Sequence, residues 1–120
     1  TKFAGIGIRL DPCLTPVCNS WFEGSQGRGS ASILHECRSK FLRVESCSSE
    51  GVFGLYLEAP GFELPWFVRD YGLILLNPVW HAGRDLAPGE ILEQQVRMLA
   101  YDAKSTPTID ELSSFVSFLD

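Results

Sequence analysis

Leu64-Pro-Trp-Phe-Val-Arg-Asp-Tyr-Gly-Leu-Ile-Leu-Leu-Asn-Pro78 sets aromatics and an adjacent Arg–Asp pair around a run of β-forming residues. Residues 66–69 and 73–76 read as two short strands, because β-branched and aromatic side chains suit a pleated, half-buried surface. Gly72 between them permits a kink or bulge. Asn77-Pro78 then ends the second strand with a turn. No other stretch of the chain is as dense in structural signals.

Working outward, the β pattern continues on the N-terminal side. Residues 33–37, 41–46 and 52–58 are short strand-like runs, separated by turn residues such as Ser48-Ser49-Glu50-Gly51. A spacing of roughly ten residues with turn punctuation is the pattern of a sandwich or barrel. Residues 3–10 alternate, with Ala4, Ile6, Ile8 and Leu10 on one face and Gly5 and Gly7 on the other. They read as a strand ended by Asp11-Pro12. Between these strands, residues 13–18 read as an ordered loop and Trp21-Phe22 as an apolar anchor.

Residues 24–32 hold three glycines and three serines, the composition of a mobile hairpin connection. They do not read as a phosphate cradle, since the GK[ST] that a P-loop requires is absent, and Gly5-Ile-Gly7 lacks the third glycine of the dinucleotide fingerprint. No cofactor is expected. On the C-terminal side, residues 88–102 fit a helix and a strand about equally by periodicity. Thr108-Ile-Asp-Glu111 has capping-box form, and Ile109, Leu112, Phe115, Val116 and Leu119 share one helical face. A helix over 109–119, packed on a sheet, is expected.

At 120 residues, with 45% hydrophobic and 21% charged residues, the chain has the size and composition of one soluble globular domain. Its apolar runs are far shorter than the roughly 20 residues of a membrane helix, so no membrane partner is expected. The net charge is −5. Residues 1–60 carry six basic and six acidic groups, and residues 61–120 carry four and nine. Without a basic stripe to neutralise phosphates, nucleic acid is not an expected partner. Cys13, Cys18, Cys37 and Cys47 lack CxxC spacing, so they read as free or ordinary disulfide cysteines and no metal site is expected. The opening Thr1-Lys2-Phe3 carries neither Met nor an apolar leader, which suggests a natural polypeptide that began upstream.

Several of these pieces stand in one order. Gly5-Ile-Gly-Ile-Arg9, Gly54-Leu-Tyr-Leu-Glu-Ala-Pro60, Pro65-Trp-Phe-Val-Arg-Asp-Tyr-Gly72 with Asn77-Pro78, and Leu86-Ala-Pro-Gly-Glu-Ile-Leu92 follow one another along the chain. Together they resemble the C-terminal part of a bacterial family labelled methane oxygenase PmoA-like. The resemblance spans roughly residues 3–102, and the 65–78 block is its specific part. It implies a β-rich fold of sugar-mutarotase-like type, in members longer than this chain. It also turns residues 90–101 toward strand. The family's N-terminal His-rich motif has no counterpart here, so chemistry seated there is not carried over.

The candidate site residues cluster in and after the opening block. Arg69 and Asp70, adjacent in a strand, are expected on opposite faces, one of them inward and paired. Arg69 suits a carboxylate or sugar hydroxyls, and Trp66, Tyr71 and Trp80 offer flat faces for a sugar ring if they are not core. His81 and Asp70 are the candidate acid–base groups, with Glu58 and Glu63 as further carboxylates. His35 and Glu36, read as strand neighbours, diverge and form no simple dyad unless a bulge intervenes.

The expectation is therefore all-β: a mostly antiparallel β-sandwich over 1–120 with one C-terminal α-helix, whole or as the C-terminal part of a longer chain. Its expected role is to bind a small polar ligand, carbohydrate by the resemblance, through Trp66, Arg69, Tyr71 and Trp80. The alternatives are a mutarotase-like or glycoside-processing enzyme using a histidine and a carboxylate, and a structural or oligomerisation domain. Unpaired edges of a partial sandwich would favour a homo-oligomer.

Overall fold

The structure, a computed structural model, describes residues 5–60, 63–76 and 84–117. The chain runs through β1 (Ile6–Arg9), two single 3-10 turns (Pro12–Leu14 and Pro16–Cys18), β2 (Trp21–Gly24), β3 (Gly27–Gly29) and the one-turn helix α1 (Ala31–Leu34). Then follow β4 (Arg38–Ser39), β5 (Phe41–Ser48), β6 (Gly51–Glu58), β7 (Leu64–Val68), β8 (Leu73–Leu76), β9 (Arg97–Ala103) and α2 (Ile109–Ser117). The strands form two sheets, a four-stranded one in the order β1-β8-β7-β4 and a five-stranded one in the order β3-β2-β5-β6-β9. Every pairing among the described residues is antiparallel. The fold is a mostly antiparallel β-sandwich with one substantial helix near its C-terminus.

Strand alternation sorts the side chains into layers. Phe22, Val44 and Leu55 stand in one cross-strand row, and Leu42 pairs with Leu57 on the same face. They meet Trp66, Val68, Ile74 and Leu76 of the four-stranded sheet, with Leu10, Ala31, Leu34 and Ala59 closing the margin. The opposite face of the five-stranded sheet holds a second, smaller core. There Tyr56 packs against Leu112 and Val116 of α2, flanked by Phe41, Leu99, Tyr101 and Ile109. The helix starts at the expected cap, where Thr108 Oγ1 accepts from the Glu111 N–H at 3.1 Å. Phe115 was expected on its packed face but is 63% exposed. The helix seats itself on the Leu112–Val116 row instead, one residue round from Phe115.

Several local expectations change. Residues 33–37 do not form a strand: α1 ends in the turn at His35-Glu36, where Glu36 takes a left-handed φ of +66°. Burial of Ala31 and Leu34 with exposure of Ile33 follows helical spacing, and this outweighed the local β pattern. Residues 24–32 hold the expected hairpin connection, though much of it is regular structure. They supply the β2–β3 hairpin around Ser25-Gln26, and the Ser25 N–H is held by Ser39 Oγ at 2.9 Å. The strand expected over 90–101 begins only at Arg97 and runs to Ala103. Ahead of it, Gln94 Oε1 accepts from the Ile6 N–H at 2.7 Å, so this approach occupies an amide of β1 instead of forming a ladder.

β7 ends at Val68, and the chain turns at once. The Arg69 N–H donates to Leu73 O at 2.9 Å and the Gly72 N–H to Arg69 O at 3.0 Å. Gly72 is a turn residue here, at φ +101°, a region that a side chain disfavours. Trp66 sits on the inward face of β7, 2% exposed, with Nε1–H donating to Ser39 O at 2.9 Å. Trp66→Ala should cost about 3–5 kcal/mol in chemical denaturation, since it opens a cavity and removes the indole bond to Ser39 O.

Candidate functional site

The residues singled out in the sequence separate in space. Trp66 belongs to the inter-sheet core, so its ring offers no open platform. Arg69, Asp70 and Tyr71 are all exposed on the β7–β8 turn. The expected opposite-face arrangement of Arg69 and Asp70 does not arise, because the strand has already ended. Arg69 lies over the Phe67 ring, 4.6 Å from its centroid, and Arg9 lies 5.2 Å from that of Tyr71. Trp80 and His81 fall outside the described residues.

The sequence reading passed over the most heavily constrained charges in the molecule. In β5, alternation along Phe41-Leu-Arg-Val-Glu puts Arg43 and Glu45 on the same face of the strand. Both are 1% exposed, because the segment 104–108 and α2 lie over that face. Arg43 donates to Glu23 Oε1 through Nε at 3.1 Å and Nη2 at 2.5 Å, and to Pro107 O through Nη1 at 2.5 Å. Glu45 accepts from Tyr101 OH at 2.8 Å and Thr106 Oγ1 at 2.6 Å. The Arg28 and Arg43 guanidiniums lie 4.1 and 5.0 Å from the Trp21 ring centroid. These groups are consumed by one another, so the cluster fastens the segment after β9 to the sheet and leaves little for a substrate.

Where α2 meets the ends of the strands, a half-open cleft of about 370 Å³ remains. Its walls are Lys40 and Phe41 where β5 begins, Tyr56 and Glu58 of β6 with Ala59 and Pro60 just after it, Arg97 of β9, and Ile109, Asp110 and Ser113 of α2. Register explains the convergence, since Phe41, Glu58 and Arg97 form one cross-strand row. Glu58 is the focus. Its Oε2 accepts from Tyr56 OH at 2.7 Å and Ser113 Oγ at 3.1 Å, while Arg97 Nη1 lies 3.5 Å from Oε1. Phe41 stacks on Tyr56 with ring centroids 5.8 Å apart. An ordered carboxylate, two cations and an aromatic wall suit hydrogen bonding to a polar molecule with an apolar side. Among the described residues the lining holds no histidine, so no His–carboxylate pair is assembled there.

Glu58 had been one carboxylate among several in the sequence, and its strand partners are what single it out. Among the described residues, no group of three His, Cys, Asp or Glu side chains is placed to hold a metal, and no helix is long and apolar enough to cross a membrane. The four cysteines are free thiols. No protein-family model, no curated protein and no solved structure matches this chain.

Two outcomes are expected from the buried charges. Arg43→Ala should cost about 3–5 kcal/mol in urea unfolding, because it leaves the buried Glu45 without its counter-ion and Glu23 with only the more distant Arg28, at 3.8 Å. Burial, and then the bonds to Glu58 and Glu45, raise the Tyr56 and Tyr101 hydroxyls well above their ordinary 10.0. The folded chain therefore keeps two protons that the unfolded chain releases above about pH 10. Their contribution to stability is complete below that pH and is lost as pH rises beyond it. Ultraviolet titration should show these two tyrosines ionising only as the protein unfolds.

Proposed function

We propose that this chain is a β-sandwich module that binds a small polar ligand, carbohydrate by chemical class, in the cleft around Glu58. The observation that carries the proposal is the pre-ordered Glu58, held by Tyr56, Ser113 and Arg97 at the wall of a cleft of about 370 Å³. That volume lies within the range of roughly 300–1,000 Å³ usual for small-molecule sites. A sugar presents hydroxyls that Lys40, Glu58 and Asp110 can bond, and a C–H face that can rest on Phe41. The resemblance of the 65–78 block to a family of mutarotase-like fold supports the same chemical class. The exposed Arg9, Arg69 and Tyr71 group makes the β7–β8 turn the second location for such a ligand.

The test is thermal denaturation against a panel of mono- and oligosaccharides, repeated with Lys40→Ala and Tyr71→Ala. A selective ligand at about 100 times its dissociation constant should stabilise the fold by roughly 2.7 kcal/mol. Both replaced side chains are exposed, so neither change should alter the melting temperature without ligand. Loss of the response in Lys40→Ala alone places the ligand in the cleft; loss in Tyr71→Ala alone moves it to the turn. A flat panel over a clean unfolding transition sinks the carbohydrate proposal and favours a structural or oligomer-forming domain.

A further inference from the structure

The edge of β7 that faces away from β8 is closed in an unusual way. Its first residues pair with the two-residue β4, Leu64 with Ser39 and Pro65 with Arg38. Beyond them the Trp66 N–H donates to Cys37 O at 3.3 Å, and Trp66 O accepts from the Glu36 N–H at 2.8 Å. The next amide on that edge, at Val68, meets a side chain instead of backbone. It donates to His35 Nδ1 at 3.1 Å. A backbone amide can only donate, so Nδ1 must be an unprotonated acceptor and the neutral ring carries its proton on Nε2.

The ring is held in place for this task. It packs edge-on against Phe67, with centroids 4.8 Å apart and planes at 82°. Nε2 points to Glu36 Oε1 at 3.6 Å. Among the described residues, two charges act on the ring, Glu36 from its own turn and Arg69 from the β7–β8 turn. The neighbouring ionisable groups are otherwise directed: Cys37 Sγ toward Ile33 O at 3.2 Å and Arg38 toward Glu63 O at 3.3 Å. A second proton on the ring would set an N–H at Nδ1 against the N–H of Val68, two donors facing each other. The imidazolium would have Glu36 as a ready partner and no way to keep Val68.

We propose that His35 is a proton-operated latch, neutral and closed on the Val68 amide, and opened when mild acid transfers the ring to Glu36. Opening leaves the end of the β7 edge unsatisfied and loosens the α1–β4 connection across it. The direction of titration agrees: burial, and then the Arg69 charge, lower the His35 pKa from its ordinary 6.5, against the pull of Glu36. The folded state therefore disfavours the proton. The latch's contribution to stability is complete above the ordinary histidine pKa and is lost as pH falls through the folded value. The device is independent of any ligand in the Glu58 cleft.

The test is residue-resolved amide exchange by NMR from roughly pH 8 to pH 5, the window in which histidine titrates, with the imidazole ¹⁵N shifts read alongside. Once the ring's midpoint is passed, the Val68 protection factor should fall about tenfold per pH unit, the limit for one linked proton. The Arg69 amide, bonded on the opposite edge to Leu73 O, should keep its protection and serves as the internal control. His35→Gln retains an acceptor without a titrating group and should make Val68 protection independent of pH. His35→Phe should leave Val68 unprotected throughout. A neutral ring protonated on Nδ1 overturns the proposal, as does Val68 protection that stays level through the ring's titration. Both readings come from the unaltered chain, so they decide the matter even if a variant fails to fold.

Discussion

Burial of the Arg43 guanidinium is the constraint on which the rest of this structure depends. A charge taken out of water must be matched, and here the matching groups come from β2, β5 itself and the segment after β9. Register follows from that requirement. Glu23, Arg43 and Tyr56 stand in one cross-strand row, and Trp21, Glu45, Gly54 and Tyr101 in the next row on the same face. A slip of one residue would turn these charges into the apolar space between the sheets and bring Val44 and Leu55 out. Gly54 belongs to the same arrangement. A Cβ there would stand 2.5 Å from the Tyr101 hydroxyl, so the bond from Tyr101 to Glu45 needs a residue with no side chain.

The same cluster determines where the C-terminal helix lies. Pro107 O on Arg43 and Thr106 on Glu45 fasten the approach to α2, and Leu112 and Val116 then settle on Tyr56. The apolar contact of so short a helix is small, and polar contacts at both its approach and its middle direct it. Ser113 to Glu58 is the second of these. The Glu58 cleft is what remains uncovered where α2 crosses the strand ends. Tyr56 joins the two regions, lining the cleft while standing opposite Arg43 in the ladder. The cleft is thus continuous with the buried charge cluster around Arg43.

The four-stranded sheet solves a different problem with smaller means. Edges with unpaired amides invite association, and proteins close them in several ways. On β7 the closing groups come from a two-residue strand, two backbone groups in a turn and one imidazole. On β1 a glutamine side chain accepts from Ile6. The left-handed Glu36 belongs to this solution, because it turns the chain back so that its own N–H and the Cys37 carbonyl both reach Trp66.

The sequence by itself determined the β class, the hairpin turn at Ser49-Glu50, strand β8 and the helix behind Thr108, since these depend on local periodicity and capping. It could not determine which faces would be covered. Alternation in Phe41-Leu-Arg-Val-Glu shows that Arg43 and Glu45 share a face, yet residues some sixty positions later in the chain decide that this face is buried. Trp66 belongs to the opposite case, where an aromatic in a promising motif is claimed by the core. His35 and Glu36 depended on a strand assignment that helical burial of Ala31 and Leu34 overrode. The candidate site shows the limit most clearly. Phe41, Glu58, Arg97 and Ser113 lie on four elements, and only strand register and the docking of α2 bring them together. Local chemistry therefore set the elements, and long-range packing around a buried charge decided which side chains meet.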